Sequence, residues 1–598
     1  MEPVSQRTDT AIECAHSIHH ADRKCRIAVL LLLAIQTVLL SFSAIRLSPT
    51  HLEPAFLASG LSHWEFGRFD LYRVNPPMVR MIAALPVLCV DHRTDNSLYS
   101  SVPGSRAEFG LGQDFVAANG PRTHLLVSYA RLACIPFALG GAYIAYCWAT
   151  EMYGVSGGLL TLALWIFEPT LLAHSALITT DGACASFCIL AAYTFWRWTR
   201  QPTGTTALLA GITLGLAQLA KMSLAILFPL WLIVIAMMLA MRRISLSRPI
   251  VGQVTLIELT AILVMNAGYA FDGTGRPLGQ FQFVNRTLSG SIGIPGNVLK
   301  GTWFGHLPVP LPAEYVLGLD TQLRDHENYP KPLYMNGTFR DHGSPLYYLY
   351  AILVKSPLPL LGLYALTILR VITRPNGSAG WPFLVAIPLL VLLSVETSTV
   401  QFHRYCTPVL GCFVVAAGNC FSFSSQWLRI VTATLAIWTA LSTVASLPDG
   451  IAYFGDQVGG KPAGQTCLIS SSLDWGQGLS ELEQWASGRP ETREGLWLLS
   501  DSHTRILDSQ FPHADFPIRE TQWLVCSTNF WMGAPSTAEV RVGKEWKTVS
   551  MRQGALDRLR QTSNPERIGA GFWCVRLTDP EARKLVKEVF GNQPRNMP

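Results

Sequence analysis

The chain has 598 residues, of which 49% are hydrophobic and 14% charged, and a formal net charge of +6. That balance is too apolar for a soluble protein of this length, and the basic excess is too small and too scattered for a nucleic-acid surface. The thirteen cysteines show no metal-ligand spacing, which argues against a zinc module.

In chain order, apolar stretches long enough to cross a bilayer predict membrane helices near 27–46, 124–150, 155–175, 178–197, 204–220, 222–241, 250–271, 346–369, 378–398, 405–423 and 429–447. The expected fold is therefore an α-helical polytopic membrane bundle of about eleven spans. Arg23, Lys24 and Arg26 precede the first span and place the N-terminus in the cytoplasm. That span lacks a small-residue cleavage pattern and reads as a retained anchor. Alternation then puts Arg197 and Arg200, Arg242, Arg243 and Arg248, Arg370 and Arg374, and Arg429 in cytoplasmic turns. The turn near Glu151, without Lys or Arg, is the exception to that positive-inside pattern.

The same alternation makes two long loops, 47–123 and 272–345, external, together with everything after 447. Three regions follow: a cytoplasmic tail over 1–26, a transmembrane domain over 27–447, and an extracytoplasmic domain over 448–598. The last has short apolar runs such as TCLIS, GLWLLS, QWLVCST and FWCVRL between polar and helical segments, the pattern of a small α/β domain. Cys467, Cys526 and Cys574 fall there, an odd number for which no pairing is predicted. Localisation in the inner (plasma) membrane, multi-pass, is expected.

The titratable residues crowd the external side. The first loop carries Glu53, His63, Glu65, Arg68, Asp70 and Arg73, then Asn75-Pro76-Pro77 before an amphipathic run over 78–90 that is expected to lie along the membrane surface. A solvated loop is the plainer reading of that cluster. Asp181, with His174 shortly before it, falls at the outer mouth of a span, where it serves as an N-cap or, joined by Glu53, as half of an acid/base pair or a divalent-cation site. Lys221 sits at the outer end of a helical hairpin, Lys355 about two turns into the span that begins near 346, and Arg404 closes the external turn QFHRY, as receptors for a lipid phosphate or as snorkelling anchors. Glu258, mid-span, should pair inside the bundle, and Asp474 beside Trp475 reads as a turn former.

The stretches LEPAFLASG, NPPMVRMIAALP, HSALITTDGA, GLAQLAKMSL, GSPLYYLYAILVKSPLPL, FHRYCTPVLG, SLDWGQGLSELEQW and PERIGAGFWCVRL run in this order from about residue 52 to 577. Together they resemble the C-type, membrane-embedded glycosyltransferases that use polyprenyl-phosphate sugars, a group including lipid A aminoarabinose transferases and protein O-mannosyltransferases. The resemblance implies a donor lipid in an outer-leaflet groove, an acidic base acting on an acceptor hydroxyl of a lipid, glycan or protein, inversion at the anomeric carbon, and release of polyprenyl phosphate. It implies no certain cofactor, although a divalent cation stays a candidate. The Asp–Glu pair usual at the start of the family's first loop reads Leu52-Glu53 here, and Phe56 stands where relatives often have His. The base role then falls to Glu53, Asp181 or Asp70, with Lys221, Lys355 and Arg404 on the donor phosphate. His174, Asn75 and Tyr348, all within matching stretches, are the candidate sugar contacts.

Two other functions fit an apolar chain of this kind. A secondary transporter would favour inverted repeats and ionisable groups at mid-membrane, whereas here only Glu258 lies deep. A non-catalytic relative that binds lipid-linked sugars is compatible with Leu52.

Overall fold

The computed structural model describes residues 23–94, 99, 102–373, 380–395, 398–508, 510–514, 517–542 and 545–591. Most of the tail expected over 1–26, and Arg374, lie outside the described residues.

Among the described residues six helices are long and apolar enough to cross a membrane: Arg23–Arg46, Arg122–Tyr153, Met222–Ala240, Arg248–Gly268, His403–Ser422 and Gln426–Val444. Val155–Phe167 and Pro169–Ser175, bent by 62° at Glu168, make a seventh if taken as one span. The bend has a local cause: Glu168 is extended and caps the second piece by accepting from the backbone N–H of Leu171, with Pro169 at its first position. Thr180–Arg200, Gly204–Ala220 and Trp381–Ser394 are helices where spans were predicted. The span expected over 346–369 is instead two helices, Tyr347–Lys355 and Leu358–Thr373. Pro357 lies at the break, where it cannot continue a helix. The bundle core is rich in tryptophan, with Trp148, Trp165, Trp196 and Trp198 fully buried and Phe195 stacked on Trp231 at 4.2 Å between ring centroids. Glu258 is half-buried and forms no ion pair among the described residues, contrary to the pairing expected of it.

The first long loop folds rather than staying solvated. Glu53–Phe66 is a helix buried at every position from Glu53 to His63, so it has no polar face and no readable period. Met78–Ala84 packs against it at Gly60, where a Cβ would fall 2.2 Å from the carbonyl oxygen of Arg80. The run over 78–90 is consequently two short helical pieces, with Val79, Ala83, Ala84 and Val87 in a core shared with Phe56, Leu57 and Leu61. Ala107–Asn119 and Ala313–Glu327 complete the helices of the two long loops, and Arg73 ties those loops together through an ion pair with Glu314.

A hairpin in the second loop pairs β1 (Leu333–Met335) with β2 (Thr338–Arg340). The outer part holds β3 (Leu496–Leu499), β4 (Trp523–Ser527), β5 (Ser536–Val542), β6 (Glu545–Met551), β7 (Glu566–Ile568) and β8 (Phe572–Arg576). Its four-stranded sheet runs β3-β4-β8-β7, parallel between β3 and β4 and antiparallel otherwise, while β5 and β6 form a separate hairpin. Cys526 sits opposite Trp573 and Cys574 opposite Val525, so the two thiols point to opposite faces, and both are free, as is Cys467.

This sheet is docked onto the first loop. Val116 enters the core beneath the sheet, and Ser48 and His51 donate their backbone N–H groups to the carbonyls of Gln477 and Trp475. His51 and His503 stack across the seam at 5.4 Å, and the His503 ring nitrogen bonds to the His51 carbonyl. Burial, helped by nearby Lys331, lowers His51 to about 4, and burial beside His51 lowers His503 to about 3. Both rings are neutral when docked, so their contribution is present above about pH 6.5 and is lost as pH falls through those folded values. Thermal unfolding of the detergent-solubilised chain should therefore show a loss of stability between pH 6.5 and 4 that is smaller in His503→Asn; an equal loss in the variant would contradict this.

Candidate active site

A buried charge pair fixes the geometry. Arg131, within the helix Arg122–Tyr153, and Glu53, opening the helix Glu53–Phe66, are both fully excluded from solvent. Arg131 Nε donates to Glu53 Oε1 at 2.8 Å and its Nη2 to Oε2; the remaining N–H groups go to the carbonyls of Ala44, Leu47 and Ser48. All five guanidinium donors are thus used. Glu53 accepts two more bonds, from the backbone N–H groups of Thr50 and Ile178. One carboxylate therefore clamps the end of the first span, the helix Glu53–Phe66 and the turn that leads to Asp181.

Asp181 is in the first turn of Thr180–Arg200 and only 3% exposed. Lys221 Nζ donates to its Oδ1 at 2.5 Å, and Arg404 Nε lies 3.6 Å from Oδ2. Lys221 reaches it because the chain is extended there, between the helix Gly204–Ala220 and the 3-10 turn Met222–Ile226. Arg404 is held between aromatic faces, 4.4 Å from the ring centres of both Phe402 and Trp475, and donates to the Ser471 hydroxyl. The ring of Tyr405 lies under Lys221 at 4.5 Å and near Arg404 at 5.3 Å. Two cations thus bracket one carboxylate, leaving an excess positive charge framed by aromatic rings.

The other sequence candidates distribute around this centre. His174 is buried, within electrostatic reach of Asp181, Lys221, Lys355 and Arg404, edge-on to Trp475 at 6.3 Å, and its Nδ1 has no hydrogen-bond partner. It lines a cavity of about 10 Å³, the space of one water. Asn75 accepts from the Thr180 hydroxyl at 3.4 Å and donates to Tyr72. Tyr348 is buried beside Tyr347, 5.1 Å between ring centres, with Tyr405 an electrostatic neighbour. Lys355 is tied to backbone, donating to the carbonyls of Ile451 and Ser472 at 2.7 Å each, above the ring of Phe454. Asp70 stands apart: it pairs with Arg68 through two bonds of 2.7 and 3.1 Å. Partial burial works against its charge, but Arg68 outweighs it and holds the carboxyl below the usual range.

Among the described residues no three His, Cys, Asp or Glu side chains gather in ligand geometry, and Glu53 and Asp181 are each neutralised by a cation. Asp474 behaves as a turn former, accepting from Gly476 N–H at 3.1 Å, with Trp475 buried next to it.

Arg131 was not singled out from sequence. A lone arginine inside an apolar run was the available signal, because such a charge needs a partner. Tyr405 offered none, since only the fold sets it beneath Lys221.

Residues 120–272 match the sequence profile of dolichyl-phosphate-mannose-protein mannosyltransferase, a stretch that contains Arg131, His174, Asp181 and Lys221. No curated protein is detectably similar in sequence. Among solved structures, ArnT from Cupriavidus metallidurans is similar at 14% identity and a TM-score of 0.45, with 92% of this chain covering 97% of that one in the apo state and 98% in the form bound to undecaprenyl phosphate. The archaeal oligosaccharyltransferase AglB from Archaeoglobus fulgidus, in complex with an inhibitory peptide and a dolichol-phosphate, aligns at 10% identity and a TM-score of 0.40, over 84% of this chain and 70% of that one.

Removing one partner of the Glu53–Arg131 pair strands a buried charge, so Arg131→Leu should cost about 3–5 kcal/mol of stability. Denaturant melts of the purified protein that match wild type would contradict the clamp. The resemblance to membrane glycosyltransferases that use lipid-phosphate-linked sugars is borne out over residues 120–272.

Proposed function

We propose that this protein is an inverting membrane glycosyltransferase that moves a sugar from a polyprenyl-phosphate donor to a hydroxyl of a lipid, glycan or protein at the outer face of the plasma membrane. The observation that carries the reading is the buried Asp181–Lys221–Arg404 cluster. The match of residues 120–272 to the mannosyltransferase profile supports it. In this reading Thr180–Arg200, Gly204–Ala220, the broken pair Tyr347–Lys355 and Leu358–Thr373, and Trp381–Ser394 also cross, giving about eleven spans, with the N-terminus cytoplasmic, 27–447 the membrane domain, and 448–598 outside.

The chemistry follows from charge exchange. Lys221 and Arg404 are both engaged by Asp181 at rest; a docking lipid phosphate competes for the same two cations. Once they turn to the phosphate, the Asp181 carboxylate is released to take the proton of an acceptor hydroxyl. That oxygen attacks the anomeric carbon from the face opposite the phosphate, the bond from carbon to phosphate oxygen breaks, and the departing electron pair stays on polyprenyl phosphate against Lys221 and Arg404. Glu53 has no free oxygen for this task, so its role is positioning, through Arg131 and the Ile178 turn. His174, Asn75 and Tyr348 contact the sugar, and Lys355 braces the Ser472 segment beside the phosphate site. Asp70, committed to Arg68, takes no part.

Purified protein given a panel of polyprenyl-phosphate sugars, with released carrier as the readout, should turn over at least one of them. Asp181→Asn should lower the rate by about 10²–10⁴, with the fold retained. Lys221→Ala should weaken donor binding more than acceptor use. Full activity of Asp181→Asn would reject the assignment of the base, and equal losses for both substrates in Lys221→Ala would reject the phosphate role.

A further inference from the structure

A second cavity opens at the seam between the hairpin of the second loop, the turn before His403 and the outer sheet domain. It encloses about 590 Å³ counted to its open mouth, of which about 70 Å³ can hold the centre of a water molecule. That is room for roughly five to seven waters, the scale of one sugar ring rather than of a lipid chain. Its walls alternate aromatic faces with polar groups: Tyr329, Phe339 and Tyr347 against Lys331, Asp501 and Asn529.

Aromatic faces with a few fixed polar groups are the lining that holds a polyhydroxylated ring. Phe339 is set by β2 and meets Tyr334 edge-on at 4.9 Å. Asp501 accepts from Asn529 at 3.1 Å and Ser527 at 3.3 Å, which leaves acceptor capacity on a carboxylate. Asn529 gives its two amide protons to Asp501 and the Asp474 carbonyl and accepts at Oδ1 from the backbone N–H of Ser470, which also lines the cavity, so the second lone pair of that oxygen is what it offers a hydroxyl. The cavity adjoins the charged centre, because Phe402 on its wall lies under Arg404, and Tyr329 and Tyr347 have Arg404 as an electrostatic neighbour.

We infer that this cavity is a pyranose subsite in which Asp501 and Asn529 receive hydroxyls and Phe339 and Tyr329 pack on the ring. The assignment rests on the transferase reading only for the source of the ring, which is either the acceptor or the donor sugar. Saturation-transfer NMR on the full-length, detergent-solubilised protein with methyl glucoside, galactoside and mannoside should show binding of at least one of them, weakened about tenfold or more by Asp501→Asn and by Phe339→Ala. Competition by a polyprenyl-phosphate sugar, but not by polyprenyl phosphate alone, would mark the subsite as the donor's; co-binding of donor and glycoside would mark it as the acceptor's. No glycoside binding, or binding unchanged in both variants, overturns the subsite. Because these readouts need no turnover, glycoside binding in a protein that transfers nothing would spare the subsite while defeating the transferase reading.

Discussion

The arrangement of the first long loop against the helical bundle depends on one desolvated ion pair. A charge taken wholly out of water is tolerable only when every lone pair and proton is satisfied. Arg131 and Glu53 meet that condition with seven partner contacts that include both oxygens of Glu53 and every N–H of Arg131. The partners come from the end of the first span, the helix Glu53–Phe66 and the turn before Asp181. Sequence segments far apart are thereby locked into one frame, and Asp181 inherits its position from it.

A second constraint is imbalance. Asp181 alone faces two cations, each packed on aromatic rings that hold it without neutralising it. The centre is therefore satisfied but still net positive, which suits a site that must accept a lipid phosphate and later let it go. Glu53 and Asp181 are both buried acids, but Glu53 is held by Arg131 and two backbone N–H groups while Asp181 faces Lys221 and Arg404, and the proposed division into a positioning group and a base rests on that difference.

Much of this was legible in the sequence. Helices stand at the predicted spans because long apolar runs have few alternatives in a membrane, and Asp181, Lys221 and Arg404 were marked by being charged at the ends of such runs. What was not legible has physical reasons. The helix Glu53–Phe66 is buried all round and so carries no amphipathic period. The break at Pro357 was hidden by the apolar residues on either side. Glu258 forms no ion pair among the described residues, and Asp70 has its partner two residues away, at Arg68, instead of in the site. The role of Glu53 could not be separated from that of Asp181 until Arg131 appeared beside it.

The most direct test of the account is a structure of the protein with polyprenyl phosphate bound. The account predicts phosphate oxygens within hydrogen-bonding distance of Lys221 and Arg404, with the Asp181 carboxylate released from both and the Glu53–Arg131 pair unchanged. A phosphate seated elsewhere, with the Asp181–Lys221 contact intact, would contradict it.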